Sequence, residues 1–287
     1  MTGIYIDLKV KWFKSALLCL LLLFVSGGAI AQQTYLTHKL WKGGEARFEG
    51  RYRSKVFVYA PSKPSEKAPA VIVLPGGSYT YLAINSEGHD VAKYFVSKGF
   101  RAVVLRYRMG FYGAKYPQQL EDYRKAVDYI KDNSDRLGID TTKIGVVGFS
   151  AGGHLAGCAA LEENPRYRPA FVAMIYPVVT MKEPYVHKSS RDHLLRGNLS
   201  LIEKLSLEGN VNEDFPPVFL LHCEDDHVVR IEGSRAFASE LKKNGVNCIV
   251  EIHPTGKHGF GVKPAAGSSA AGWADRFTEW LQNSVFD

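Results

Sequence analysis

Seven short runs rich in β-branched residues punctuate the chain, at 55–59, 70–74, 102–105, 144–147, 171–176, 218–221 and 248–252, and several are apolar throughout. A strand with one wet face alternates apolar and polar residues, whereas a strand covered on both faces does not. Between these runs the apolar residues fall three or four apart, which is helical spacing: Leu120, Tyr123, Val127 and Ile130, then Phe237 and Leu241, then Trp273, Phe277, Trp280 and Leu281. The last group reads as the core face of a C-terminal helix. Strand and helix in alternation predict an α/β fold, a doubly wound, mostly parallel sheet with helices on both faces. No repeat, linker or shift in composition divides it. One connection, 180–214, is long for a loop. It carries Ser200-Leu201-Ile202-Glu203, the pattern of a capping box, and so predicts a short helix in a segment placed to shape a binding site.

The N-terminus has the organisation of an export signal. Lys9, Lys11 and Lys14 precede ten apolar residues, 16–25, and Ala29-Ile30-Ala31 offers a small-x-small cleavage site before Gln32. A membrane-spanning helix needs about 20 apolar residues. Leu18 stands before Cys19 where lipid attachment favours a small residue. The expectation is a signal peptide at 1–31 and one catalytic domain at 32–287, periplasmic or secreted from a bacterium, with no membrane attachment after cleavage. The net charge of +7 drops to +5 without the leader, since Lys9, Lys11 and Lys14 oppose only Asp7 there. The remaining cations are scattered in pairs such as Arg51/Arg53 and Arg106/Arg108 rather than gathered into a patch, which argues against a nucleic-acid partner. Three cysteines remain, Cys158, Cys223 and Cys248. An odd number without metal-ligand spacing reads as buried thiols, with no metal site.

Gly148-Phe149-Ser150-Ala151-Gly152 follows the run at 144–147 directly and leads into Gly153-His154-Leu155-Ala156. A serine on a sharp turn from strand to helix projects its hydroxyl above the sheet edge, and the turn tolerates only small neighbours. The Ala151 N–H, at the start of the helix, faces an oxyanion developing there. Such a serine needs a base, and the base needs an orienting carboxylate. Glu224-Asp225-Asp226 follows the run at 218–221, and His253 to His258 follows the run at 248–252. Parallel strands end at one edge, so these loops converge on Ser150. Asp226 is favoured over Asp225, and His258, between Gly256 and Gly259, over His253. His154 lies in the helix and reads as a hydrogen-bonded packing residue. Leu74-Pro75-Gly76-Gly77-Ser78-Tyr79 is the glycine loop for the second oxyanion donor, the N–H of Gly77 or Ser78.

These stretches resemble the α/β-hydrolase superfamily, and within it the acetyl esterase/lipase group that includes acetylxylan esterases and bifunctional deacetylase–feruloyl esterases. The resemblance covers nearly all of the chain after the leader. It rests on 75–79, Glu87-Gly88, Tyr107-Arg108, 148–156, His187-Lys188-Ser189-Ser190-Arg191, Leu194-Leu195-Arg196-Gly197, Pro216-Pro217, Asp225-Asp226 and His258-Gly259-Phe260-Gly261. It implies an α/β-hydrolase fold with a small insertion after the sixth strand, the triad Ser150, Asp226 and His258, and no cofactor. Two positions depart from the pattern: Ser78 stands where a third glycine is frequent, and Arg230 where proline often follows the acid loop. The function expected is hydrolysis of acetyl or other small acyl esters on xylan or related polysaccharide fragments. The alternatives are a general short-chain carboxylesterase, a feruloyl esterase, and a non-catalytic carbohydrate-binding protein. A lipase lid is not expected, because 180–214 is rich in Lys, Arg, His, Asn and Ser. Tyr79, Tyr81, Tyr112, Tyr116 and Tyr185 are candidate stacking surfaces for sugars.

Overall fold

The computed structural model describes residues 35–41, 54–60 and 64–286, so the expected leader and the Arg51/Arg53 pair lie outside the described residues. The strands are β1 (Leu36–Lys39), β2 (Lys55–Tyr59), β3 (Ala68–Leu74), β4 (Arg101–Arg106), β5 (Ile139–Phe149), β6 (Val172–Ile175), β7 (Val218–Cys223) and β8 (Cys248–His253). They form one sheet in the order β1-β2-β4-β3-β5-β6-β7-β8. From β4 to β8 all neighbours are parallel, while β1 and β2 add an antiparallel edge. All seven runs are strands. The eighth strand, β1, is exposed at every residue and carries no hydrophobic signal.

The longer helices are α1 (Asp90–Ser97), α2 (Gln118–Asp132), α3 (Ala151–Ala160), α4 (Lys188–Leu195), α5 (Ile231–Lys243) and α6 (Trp273–Ser284). They make a layer on each face of the sheet. Alternate residues of β3 show how: Ala70, Ile72 and Leu74 join a core with Leu120 and Val127 of α2, Leu155 of α3 and Phe237 of α5. Val71 and Val73 join the opposite core with Phe95 of α1 and Trp273, Phe277 and Leu281 of α6. The aromatic stripe near the C-terminus is helix core, as its spacing implied, with Trp273 and Phe277 fully buried. Each Phe or Trp buried this way removes roughly 150–250 Å² from water.

The insertion follows β6. Its main helix is α4, and the turn at Ile202–Leu205 is short and preceded by a 3₁₀ turn at Leu199–Leu201. The capping box does not form: the Ser200 hydroxyl bonds the Asn198 side chain at 2.6 Å instead. The cap that does form belongs to α4, where His187 Nδ1 accepts the Ser190 N–H. All three cysteines in the described residues are thiols. Cys158 and Cys223 are buried, but Cys248 is half-exposed, because it opens the edge strand β8.

Candidate active site

Ser150 sits between the end of β5 and the start of α3 at φ 53°, ψ −118°, a conformation that a residue with a Cβ enters only under strain. Its neighbours hold it there. Its N–H donates to Ile175 O at 3.0 Å, and its carbonyl accepts from Val178 N at 3.0 Å and His154 N at 3.1 Å. The flanking glycines are required by close approach. A Cβ on Gly148 would lie 2.3 Å from Gly152 O, and one on Gly152 would lie 2.1 Å from Leu74 O. Both contacts are inside van der Waals limits, so the serine turn and the loop after β3 touch backbone to backbone.

The structure brings Ser150, His258 and Asp226 together although they end three different strand connections. His258 Nε2 is 2.9 Å from Ser150 Oγ, and His258 Nδ1 is 2.6 Å from Asp226 Oδ2. A carboxylate accepts, so Nδ1 carries the proton and Nε2 is the acceptor for the serine hydroxyl. Asp226 is enclosed. Its Oδ1 accepts the N–H groups of Val228 (2.8 Å) and Val229 (3.0 Å), and its Oδ2 also receives Nε2–H of the buried His222 at 3.2 Å. The Val229 carbonyl at 3.1 Å from the same Nε2 also only accepts, so Nε2 carries the His222 proton and Nδ1 accepts from the Ser234 hydroxyl at 2.8 Å. Burial alone would raise the Asp226 pKa. Hydrogen bonds from His222 and His258, with the nearby His258 charge and the Val229 N–H, outweigh it and hold Asp226 well below the usual carboxylate range.

Asp225 is turned away from His258 Nδ1. Its Oδ1 accepts the N–H groups of Gly256 (2.9 Å) and Lys257 (2.7 Å), so it holds the loop that carries His258. His253 bonds Glu251 and Arg276. His154 is wholly buried, with the Tyr79 hydroxyl on Nδ1 and Leu205 O on Nε2, both at 2.8 Å, and burial lowers its pKa to about 4. It ties α3 to the glycine loop on one side and to the insertion on the other. Burial pushes the thiols of Cys158 and Cys223 up to about 12, which makes them poor nucleophiles.

Gly77 and Ser78 follow Gly76, whose own N–H is bonded to Glu87 Oε2 at 2.7 Å. The Tyr107 hydroxyl braces the same loop through Pro75 O at 2.6 Å. Gly77 has φ 131° and a Cβ there would lie 2.2 Å from Tyr81 O, so only glycine fits. Ser78 (φ 57°) and Tyr79 (φ 59°) are also left-handed, the region that glycine enters most readily. The Ala151 N–H is at the first turn of α3, where no intrahelical acceptor exists. Among the described residues, six non-glycine residues have positive φ, and five of them, Ser78, Tyr79, Ser150, Tyr176 and Lys257, lie in the loops around Ser150.

Sequence reasoning gave no role to Glu87, Tyr176 or His222, and weighed Asp225 only as the alternative acid, not as the group that holds the His258 loop. The insertion contributes one more residue, His187, whose ring lies within reach of the charges of His258 and Asp226. Its Nδ1 is held by the Ser190 hydroxyl at 2.8 Å. Of the five tyrosines, Tyr79 is buried packing and Tyr116 lines a separate cavity of about 630 Å³. Tyr81 and Tyr112 line a cavity of about 490 Å³ beside the glycine loop, with Phe111 and Met109. Tyr185 lies under the Arg230 guanidinium at 5.6 Å, so Arg230 holds the insertion against the acid loop. Among the described residues, no group of three His, Cys, Asp or Glu side chains is placed to hold a metal ion, and no helix is long and apolar enough to cross a membrane.

The BD-FAE family model matches residues 57–241. The chain belongs to the BD-FAE family. It is 32% identical over 252 residues to endo-1,4-beta-xylanase B of Butyrivibrio fibrisolvens, a match covering 82% of this chain and 39% of that protein. It is 27% identical over 215 residues to an acetylxylan esterase of Xylanibacter ruminicola, covering 73% of this chain and 44% of that one. The chain therefore spans less than half the length of either relative. Among solved structures, the acetyl ester-xyloside bifunctional hydrolase from Caldicellulosiruptor lactoaceticus superposes with a TM-score of 0.78 at 32% identity, covering 86% of this chain and 95% of that one. The fold of this BD-FAE chain is an α/β hydrolase.

Proposed function

We propose that this BD-FAE chain is a serine carboxylic ester hydrolase that removes acetyl or other small acyl groups from xylan or related plant polysaccharide fragments. The observation that carries the reading is the hydrogen-bonded line from Ser150 Oγ through His258 to Asp226, at 2.9 and 2.6 Å, ending on the serine at the N-terminus of α3. In this reading His258 Nε2 takes the hydroxyl proton as Ser150 Oγ attacks the ester carbonyl. Asp226, kept ionised, stabilises the imidazolium. The Ala151 N–H and the N–H of Gly77 or Ser78 receive the oxyanion. The imidazolium then protonates the sugar oxygen as it leaves the collapsing intermediate, giving the free hydroxyl, and water, deprotonated by the same ring, releases the acid from the acyl-enzyme.

The substrate half of the proposal is supported by the names of the two relatives and the solved neighbour, and by surface chemistry. Tyr81 and Phe111 are 61% and 69% exposed at the rim of the cavity beside the glycine loop, a setting suited to stacking on sugar faces. The export signal expected at 1–31 would place the catalytic domain, 32–287, where polymer fragments are met. Acetate release from acetylated xylo-oligosaccharides, beside p-nitrophenyl acetate, butyrate and octanoate and methyl ferulate, tests the reading. Release from the oligosaccharides with preference for acetate is expected, and none with Ser150→Ala. Turnover of the simple esters alone would remove the polysaccharide assignment, and turnover by Ser150→Ala would remove the serine mechanism.

A further inference from the structure

Glu87 lies 3% exposed in the turn before α1, behind the glycine loop, and no step above uses it. Its two oxygens reach opposite sides of the site. Oε2 accepts the Gly76 N–H at 2.7 Å, immediately ahead of the Gly77 and Ser78 donors. Oε1 accepts the Tyr176 hydroxyl proton at 2.9 Å. The Tyr176 oxygen in turn accepts the Gly261 N–H at 2.8 Å, in the loop that carries His258. The Tyr176 ring packs 4.7 Å from the His258 ring, centroid to centroid, and 4.7 Å from that of Phe260. Tyr176 is itself held at φ 38°, a conformation that the surrounding structure must impose.

Every described contact to Glu87 is a donor, which is the pattern of a carboxylate and not of a carboxylic acid. Burial raises its pKa above the ordinary carboxylate value, and the Gly76 N–H, the Tyr176 hydroxyl and the charge of His258 offset that rise only in part, so it is these two donors that hold the charged form in place. A buried anion that is bonded to one half of the site and reached by the charge of the other has two consequences. It fixes the spacing between oxyanion donors and base, and it favours the imidazolium that forms on His258 when Ser150 gives up its proton.

We propose that Glu87 and Tyr176 are a positioning pair, coupling the glycine loop to the His258 loop, with the Glu87 carboxylate as a second anion supporting His258 beside Asp226. The inference rests on the serine-hydrolase reading above. Among the described residues, the charged and titratable groups that reach His258 include Asp226 from the β7 loop, Glu87 from the turn before α1, Tyr176 from the end of β6 and His187 from the insertion. Glu87 is also within reach of Tyr107 at the end of β4. Of the two anions, only Asp226 touches the ring.

The test uses Glu87→Gln and Tyr176→Phe in the full chain, with p-nitrophenyl acetate as probe. Glu87→Gln keeps the volume but presents one acceptor and one donor, so it cannot receive both bonds. The expected result is a kcat lower by roughly ten- to a hundredfold with KM within about twofold. The acid limb of kcat/KM should also move to lower pH by about half a unit, because loss of an anion near His258 lets the ring stay unprotonated in more acid solution. Tyr176→Phe leaves the carboxylate and cuts the link to Gly261. It should lower kcat by a similar factor with KM unchanged. A structural strut alone would lower Tm and leave both kcat and the acid limb of the folded enzyme at wild-type values, which overturns the proposal. Should Glu87→Gln fail to fold, Tyr176→Phe decides alone, and an unchanged kcat overturns the coupling. Ser150→Ala separates the two readings. If it keeps turnover, the serine mechanism falls. If it is inactive while Glu87→Gln and Tyr176→Phe behave as wild type, only the positioning pair falls.

Discussion

His154 lies at the junction of three parts of the molecule, and its ionisation is tied to folding. Burial lowers its pKa from 6.5 to about 4, against a smaller raising effect of the Leu205 carbonyl. Between those values the unfolded chain binds a proton that the folded chain refuses. The stability contributed by this residue is therefore complete above about pH 6.5 and is lost as the pH falls through about 4, by at most roughly 3 kcal/mol. Urea midpoints should decline on acidification through that window, and the decline should flatten in His154→Gln. Asp226 has the same sign for its own reason: its depressed pKa means that the site keeps its carboxylate well into acid. Asp226→Asn leaves the shape and reverses the hydrogen-bond preference at His258 Nδ1, so kcat should fall about 10⁴-fold with KM little changed, read by steady-state kinetics. At this scale the sequence was most informative where chemistry follows a strand end. Ser150, Asp226 and His258 each come a few residues after an apolar run. Glu87 was not legible as a part of the site, because its meaning lies in contacts to residues 76 and 176 that no spacing encodes.

The elements divide by how much apolar surface they bury. Strands β2 to β8 and helices α2, α5 and α6 announce themselves because burial on one or both faces leaves a period in the sequence. The β1 strand is exposed at all four residues and is held mainly by its pairing with β2, with the His38 ring stacked on Tyr129 at 4.1 Å, so it leaves no hydrophobic period in the sequence. The insertion shows a second limit. Its capping-box pattern predicted a short helix, and one turn of helix does form at Ile202–Leu205, but without that cap; the longer helix, α4, starts behind a histidine cap, a use of His187 that common cap preferences do not include. The C-terminal helix allows a direct check. Phe277 is fully buried against Phe95, Phe171 and Phe219. Phe277→Ala should lower the unfolding free energy by about 3–5 kcal/mol, measured by urea denaturation, while the kcat of the protein that remains folded is retained, since α6 supplies no group to the site.

On the scale of the whole molecule, the parallel sheet gathers the loops after β3, β5, β7 and β8 along one rim, with β6 turning into the insertion beside them. The body below is regular, and of the six described residues with a Cβ in a left-handed conformation five are collected at that rim, Ser78, Tyr79, Ser150, Tyr176 and Lys257, while Arg196 ends α4. Each costs on the order of 1 kcal/mol or more relative to an ordinary conformation. This uneven distribution bears on how the protein responds to heat. Loops held under tension by their neighbours open before the sheet does. Activity on heating should therefore disappear several degrees below the loss of circular dichroism, and recover on brief cooling because the sheet has not melted. Ser78→Gly relieves one tensioned position without touching the sheet, and it should narrow the interval between the two temperatures from below, leaving the melting of the body where it was.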